Sequence, residues 1–324
     1  MQNSSDRVTE LAANPLDIPQ KTLDFLKAAS DIETRAAAEA RSVVFLPSVF
    51  CQSALPYKNP GPNVAEWIRT NGNLTLRVIP GIEKPKSGQP TRYEHAYGVI
   101  PRLLLPWITT QVIWGSDAVH GRRVHFGSLN EFMRGLGVIK SGGDSGSIKR
   151  VTRQTTALAQ STIQIRRDGH HRVGGIGVTF ASEFEICWTA GTADQPALPG
   201  LDSYIVLSNE MYDEMKHRGV PLDARALAQL RKQGSGGLPI DIYTWLAHRL
   251  MRVQNSNGDL VPWQAVAAQF GNQYGLLRNF KRDFTKRLGL VRSVYLSARV
   301  EPEPDGLRLF YSDPPIAQKP LLGG

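Results

Sequence analysis

The chain has 324 residues, with 38 Lys and Arg against 29 Asp and Glu, a net charge of +9, and 41% apolar residues. That length accommodates two domains of ordinary size, and the apolar fraction excludes wholesale disorder. Two cysteines, Cys51 and Cys187, exclude a disulfide scaffold and a four-cysteine zinc site and point to a reducing, cytoplasmic setting.

Residues 20–41 are rich in helix formers and free of Gly and Pro, which predicts one helix in an N-terminal arm, residues 1–41. The N-terminus lacks the charged head, apolar core and cleavage site of a secretory signal. From Ser42 the run SVVFLPSVF reads as β-structure, and Asn73–Ile79 (NLTLRVI) alternates as a strand. The most apolar run, Val99–Trp114, is broken by Pro101, Arg102, Pro106 and three polar residues. A helix is predicted from about Gly98 to Trp114, not a membrane span.

A short strand (Val124–Phe126), a helix capped by Ser128, a Gly-rich loop, a basic helix (Ser147–Gln160) and strands Thr162–Arg167 and Val173–Trp188 follow. This is the order of a winged helix, a helix-turn-helix with an added β-hairpin. A similar order returns after the break at 190–200. It comprises strand Tyr204–Leu207, helix Ser208–His217, helices Asp223–Lys232 and Pro239–Arg252, a strand at Val261 and helix Pro262–Phe270. Basic helix Leu276–Leu288 and strands at Arg292–Leu296, Ala298–Glu301 and Leu307–Tyr311 complete it. The expected fold class is α+β, with two tandem winged-helix domains, residues 42–200 and 201–324, behind the helical arm.

The positive charge is not spread evenly: residues 1–90 carry +1, residues 91–200 carry +4 and residues 201–324 carry +4. A basic excess on folded segments favours polyanions, because neutralised phosphates release counterions. In Leu276–Leu288, helical geometry groups Leu277, Phe280, Phe284 and Leu288 within about 80° of one another as a core-facing stripe. Arg278, Arg282 and Lys286 fall opposite it at i, i+4, i+8, Lys281 and Arg287 flank it, and Asp283 is the only acid. A solvated helix face would carry compensating acids; this one suits a DNA groove. Arg292 heads the strand that follows.

In Ser147–Gln160, Ile148, Val151, Thr155 and Leu158 form the predicted buried stripe, with Lys149, Arg150 and Arg153 pointing away. Arg166, Arg167 and Arg172 flank the turn 168–171, where a wing would meet phosphates or the minor groove. These twelve cationic residues are the candidate DNA-binding set.

Enzyme motifs are weak. Gly143-Asp144-Ser145-Gly146 echoes a protease nucleophile loop, but it enters a basic helix, where Asp144, Ser145 and Ser147 read as helix caps. A phosphate loop, a metal-ligand spacing among the seven histidines and the paired histidines of a nickase are all missing, so no enzyme activity, cofactor or metal is expected. Trp107, Trp114, Trp188, Trp245 and Trp263 are expected in the core.

Several segments carry a family resemblance: LPY (55–57), WIRTNGNLTL (67–76), YGVIPRLLLPW (97–107), LNEFMRGL (129–136) and GGDSGSIKR (142–150). PLDARA (221–226), IDIYTWLAHRL (240–250), Val261–Phe270 and YGLLRNFKRDF (274–284) add to them. With these the chain resembles the plasmid-encoded RepA replication initiators, related in architecture to iteron-binding Rep proteins. The resemblance implies binding to repeated sites in double-stranded DNA at a plasmid origin, opening of an adjacent A·T-rich region, and recruitment of host helicase and initiator proteins. Autorepression, monomer and dimer forms, and a cytoplasmic protein without a membrane partner are implied as well. It places repeat reading on Arg278, Lys281, Arg282 and Lys286, and phosphate contacts on the first winged helix. The alternatives on the same residues are a winged-helix repressor without initiator activity and a rolling-circle nicking enzyme.

Overall fold

The helix expected near the N-terminus forms as α1 (Gln20–Thr34), fifteen residues without Gly or Pro. The computed structural model describes residues 20–36, 42–83, 92–115, 119–143, 146–169, 173–188, 202–233, 236–271 and 274–316. Phe25 and Ile32 of α1 pack against the core. After it, β1 (Val43–Pro47) covers only the first half of the apolar run 42–50. Pro47, at φ −56°, opens a short helix, α2 (Ser48–Gln52), so the expected single β-run is divided.

Strands β2 (Trp67–Asn71) and β3 (Leu74–Ile79) form a hairpin, with Asn71 opposite Leu74, and a small ribbon joins β4 (Gly81–Glu83) to β5 (Arg92–Glu94). Helix α3 (Val99–Trp114) then passes through the middle of the molecule. Leu104, Leu105, Ile108 and Val112 are all at most 2% exposed, and the helix continues through Pro106. β6 (Val119–His120) and β7 (Arg123–His125) follow, then α4 (Leu129–Gly135), whose cap Ser128 accepts a hydrogen bond from Glu131 N. Helix α5 (Ser147–Ala159) leads into β8 (Thr162–Asp168), β9 (Val173–Thr179) and β10 (Ala181–Glu185).

The chain continues through β11 (Tyr204–Leu207), α6 (Asn209–His217, capped by Ser208), β12 (Gly219–Asp223) and α7 (Ala224–Lys232, capped by Asp223). Helix α8 (Leu238–Arg249) ends in a 3-10 turn at Leu250–Arg252. Then come β13 (Asp259–Pro262), α9 (Trp263–Phe270), α10 (Leu277–Arg292), β14 (Val300–Pro302) and β15 (Gly306–Leu309). The result is a mixed α+β fold with small sheets. Among the described residues no helix is long and apolar enough to cross a membrane.

The last strands form a sheet in the order β13-β15-β14, against which α9 packs. The earlier half shares the order of elements but not the pairing. Its β8-β9 hairpin extends the β2-β3 hairpin into a four-stranded sheet, β2-β3-β8-β9. Strand β7 instead pairs with β11, in the order β10-β11-β7-β6. A second pairing also crosses residues 200–201: β1 runs antiparallel to β12, from Val43 opposite Asp223 to Pro47 opposite Gly219. Buried residues from both halves form one continuous cluster.

The predicted strand at Arg292–Leu296 is not one. Val291 is buried and extends the stripe of Phe280, Phe284 and Leu288, so α10 runs on to Arg292. The chain then turns, with Tyr295 N–H donating to Val291 O at 2.9 Å. Burial of a helical stripe here overrides the β-propensity of Val291, Val294 and Tyr295. Strand β14 starts only at Val300.

Trp107, Trp188, Trp245 and Trp263 pack in aromatic clusters. Trp188 stacks on Phe132 at 4.7 Å, and Trp245 meets Phe270 edge-on at 5.4 Å. Trp114 departs from expectation. As the last residue of α3 it is 57% exposed and touches Phe45 edge-on.

Candidate nucleic-acid interface

Helix α10 is fixed by its apolar side. Phe280, Phe284, Leu288 and Val291 are buried, Trp263 meets Phe280 and Phe284 edge-on at 6.5 and 6.0 Å, and Phe270 lies 5.7 Å from Phe284. The opposite side is cationic. Arg278, Arg282 and Lys286 are exposed, and none of them makes an ion pair among the described residues. At a rise of 1.5 Å per residue the three span about 12 Å of helix.

The flanking cations behave differently. Lys281 donates to Pro304 O at 3.0 Å and sits 5.5 Å from the Trp263 ring, so it ties α10 to the β14-β15 turn. Arg287 pairs with Asp283 at 3.1 Å one turn away, and Asp283 also accepts from the Tyr274 hydroxyl. Arg292 is exposed at the end of the helix. The β14-β15 tip itself is acidic, with Glu301, Glu303 and Asp305. Hydrogen bonding to Arg308 holds the Glu303 carboxyl below its usual value. Phosphates would be repelled there.

In α5, Ile148, Val151, Thr155 and Leu158 are buried as predicted, together with Gln154, Ala157 and Ala159. Only the first two turns face outward, through Lys149, Arg150 and Arg153. Arg153 donates to the Tyr97 hydroxyl and lies 3.8 Å from Glu94. The helix starts at Gly146 without a side-chain cap. Ser147 is its first residue, and its hydroxyl accepts from Ser141 N at 2.7 Å and donates to Ile139 O at 2.8 Å, so it braces the loop and does not cap. Asp144 and Ser145 lie outside the described residues.

On the β8-β9 hairpin, Arg166, which is exposed, pairs with the half-buried Asp168 at 2.8 Å. Arg167 reaches Glu214 of α6 at 3.1 Å, a carboxylate only 5% exposed that also faces Arg218. Arg167 therefore fastens the hairpin to α6. Arg172, with His170 and His171, lies outside the described residues.

Sequence reasoning missed the junction behind these surfaces. Arg102 of α3 and Asp241 of α8 form a buried bidentate ion pair, with both hydrogen bonds at 2.8 Å and both side chains under a tenth exposed. The remaining guanidinium hydrogens go to Leu55 O, Pro56 O and Gly98 O, and the Tyr57 ring lies 4.6 Å away. All five donors are thus satisfied. Burial opposes the charge, but the Asp241 carboxylate outweighs it and holds the Arg102 pKa above its usual value. Gly237, just before α8, is required here, because a Cβ on it would come 2.5 Å from Arg102 Nε. The available signal was a lone charge in each of two apolar runs, PRLLLPW and PIDIYTWL. A buried lone charge requires a partner.

Comparison with curated proteins and with solved structures found no match. A comparison with family profiles matched the plasmid encoded RepA protein family over residues 95–265. That segment runs from the approach to α3 to the first turn of α9, includes α5 and both Arg102 and Asp241, and stops short of α10. Because the match covers more than half of the chain, the protein belongs to the family of plasmid-encoded RepA proteins.

Proposed function

We propose that this chain is a non-enzymatic initiator of plasmid replication that binds repeated duplex sites at its origin, with α10 as the helix laid in the major groove. The observation that carries the reading is the α10 surface: three exposed cations opposite the buried Phe280, Phe284, Leu288 and Val291, with Asp283, the one acid of the helix, paired to Arg287. Its setting supports it too. The order α8, β13, α9, α10, β14, β15 with sheet β13-β15-β14 is that of a winged helix, in which the third helix enters the groove. The major groove is about 12 Å wide and admits one helix, and Arg side chains there read guanine O6 and N7.

In this reading Arg278 and Arg282 carry specificity, and Lys286 and Arg292 contact phosphate. Lys281 and Arg287 act at second hand, by fixing the helix to its hairpin and to Asp283. The acidic β14-β15 tip stays off the backbone. The first half, through Lys149, Arg150, Arg153 and Arg166, adds phosphate contacts on a neighbouring turn of the duplex. Origin opening, helicase recruitment, autorepression and a monomer–dimer equilibrium belong to the same proposal, as does the division into an arm and two winged-helix units.

A transformation assay tests it. A plasmid whose only origin is the cognate repeat region should replicate when the wild-type gene is supplied and fail with Arg278→Ala/Arg282→Ala. Repression of the chain's promoter without origin replication by the wild-type protein would favour a repressor instead.

A further inference from the structure

A groove of about 300 Å3 opens beside α5, between the start of α3 and the end of α7. Its lining has two chemistries. Val99, Ile100, Leu103 and Val138 form an apolar floor, and Arg150, Arg153 and Arg231 line it as well. Among the described residues, the only ion pair these three arginines make is that of Arg153 with Glu94 at 3.8 Å. Arg231 donates to Gly137 O, but its Nε is shut off from solvent and meets no acceptor among the described residues. Arg150 and Arg153 are exposed to solvent and carry no burial cost, but the buried Arg231 Nε is a donor left unmet, which is costly unless an acceptor reaches it.

The start of α3 adds to this. Its N-cap is Gly98 at φ +76°, with no side-chain cap hydrogen bond, and Gly98, Val99 and Ile100 line the groove. The positive end of a 16-residue helix therefore lies in the same wall as the arginines. A bare phosphate would leave the apolar floor unused, whereas a nucleotide offers both a phosphate and a flat, largely apolar body. The volume is at the lower end of the about 300–1,000 Å3 usual for small-ligand sites.

We infer that this groove binds a nucleotide, with phosphate on Arg150, Arg153 and Arg231 at the head of α3 and the base or sugar on Val99, Leu103 and Val138. The nucleotide comes either free from solution or from an unpaired stretch of the DNA strand; the chemistry recognised is the same. The inference does not depend on α10 reading a duplex, although the groove shares Arg150 and Arg153 with the phosphate-facing group of the first half.

The test titrates the full chain with a fluorescent ATP analogue and, separately, with a labelled oligothymidylate, using inorganic phosphate and adenosine as competitors. Saturable binding of the ATP analogue assigns a free nucleotide, and binding of the oligothymidylate alone assigns the strand. In either case Arg231→Gln, which removes a guanidinium outside the duplex-facing set, and Val138→Trp, which fills the groove, should each weaken binding by about tenfold or more. Duplex binding, measured alongside, should stay as in wild type, and a cooperative melt should show that both variants are folded. Photocross-linking of the wild-type chain with azido-ATP or a thiothymidine oligonucleotide should map to the peptides holding Tyr97–Leu103 or Arg231, and needs no variant. The inference is overturned by any of four results. These are no saturable binding of either probe at about 1 mM, inorganic phosphate binding as tightly as the nucleotide, both variants binding like wild type, or cross-links mapping elsewhere.

Discussion

Arg102 and Asp241 give the sharpest prediction about what holds the two halves together. Asp241→Asn keeps the shape of the side chain but removes the counter-charge from a guanidinium that is 5% exposed, and turns an amide toward it. Breaking a buried pair in this way costs about 3–5 kcal/mol. Arg102→Met should cost at least as much, because it strands the carboxylate and also removes the donors from Leu55 O, Pro56 O and Gly98 O. The double variant Arg102→Met/Asp241→Leu leaves no unpaired charge and loses three hydrogen bonds to carbonyls, at roughly 1 kcal/mol each, with Pro56 O keeping the one it accepts from Gly98 N–H. It should therefore lie about 3 kcal/mol below wild type, well short of the sum of the single losses. Urea denaturation at neutral pH, with slopes checked for a constant m-value, measures all four corners of the cycle. If Asp241→Asn loses less than about 1 kcal/mol, or if the single losses simply add, the pair is not the junction described.

Other consequences follow from single side chains. His248 is 9% exposed, and burial, followed by the charges of Arg252 and Arg249, pushes its pKa from 6.5 down to about 4. The unfolded chain therefore binds this proton first as pH falls, so His248 should withdraw up to about 3 kcal/mol of stability between pH 7 and pH 4 and nothing further below. His248→Asn should flatten the pH dependence of urea midpoints in that window, and an unchanged curve would contradict the buried neutral imidazole. Phe284→Ala opens a cavity among Trp263, Phe270 and Phe280, and should cost about 3–5 kcal/mol in the same assay. Arg225 holds α1 through Asp31 Oδ2 at 2.8 Å and the Arg35 carbonyl at 2.8 Å. Asp31 is about half exposed, so Asp31→Ala should loosen the arm by only about 0.5–1 kcal/mol and speed tryptic cleavage after Lys27 and Arg35 about two- to fivefold. Cleavage at the wild-type rate would mean that the Asp31 carboxylate contributes nothing to seating α1, leaving Phe25, Ile32 and the Arg225 bonds to backbone carbonyls to hold it.

Helical periodicity made most of the candidate surface legible. Of the expected stripe Leu277-Phe280-Phe284-Leu288 the last three are buried and Leu277 is half-buried, Ile148-Val151-Thr155-Leu158 are all buried, and this alone turns Arg278, Arg282 and Lys286, and Lys149, Arg150 and Arg153, outward. Side-chain caps at Ser128 and Ser208 were readable for a similar local reason. Strand partners were not, since pairing is a long-range choice: nothing in RVH at 123–125 points to β11 eighty residues later, or in VVFLP to β12. The strand expected at Arg292–Leu296 shows β-propensity yielding to a helical stripe. Glu214 drew no notice in the sequence, yet its burial converts Arg167 from a wing cation into a fastener.

The central claim is that α10 reads DNA, and its most direct test is equilibrium binding by fluorescence anisotropy across a range of salt concentrations. The probe is a duplex carrying the repeats of the replicon that encodes this chain, bound by wild type and by Arg278→Ala/Arg282→Ala. The account predicts that the double variant loses affinity for the repeat and discrimination between repeat and random duplex, whereas Lys286→Ala/Arg292→Ala lowers the magnitude of the log–log salt slope by about 0.9 for each phosphate contact removed. Wild-type affinity and discrimination in the Arg278→Ala/Arg282→Ala variant would contradict it.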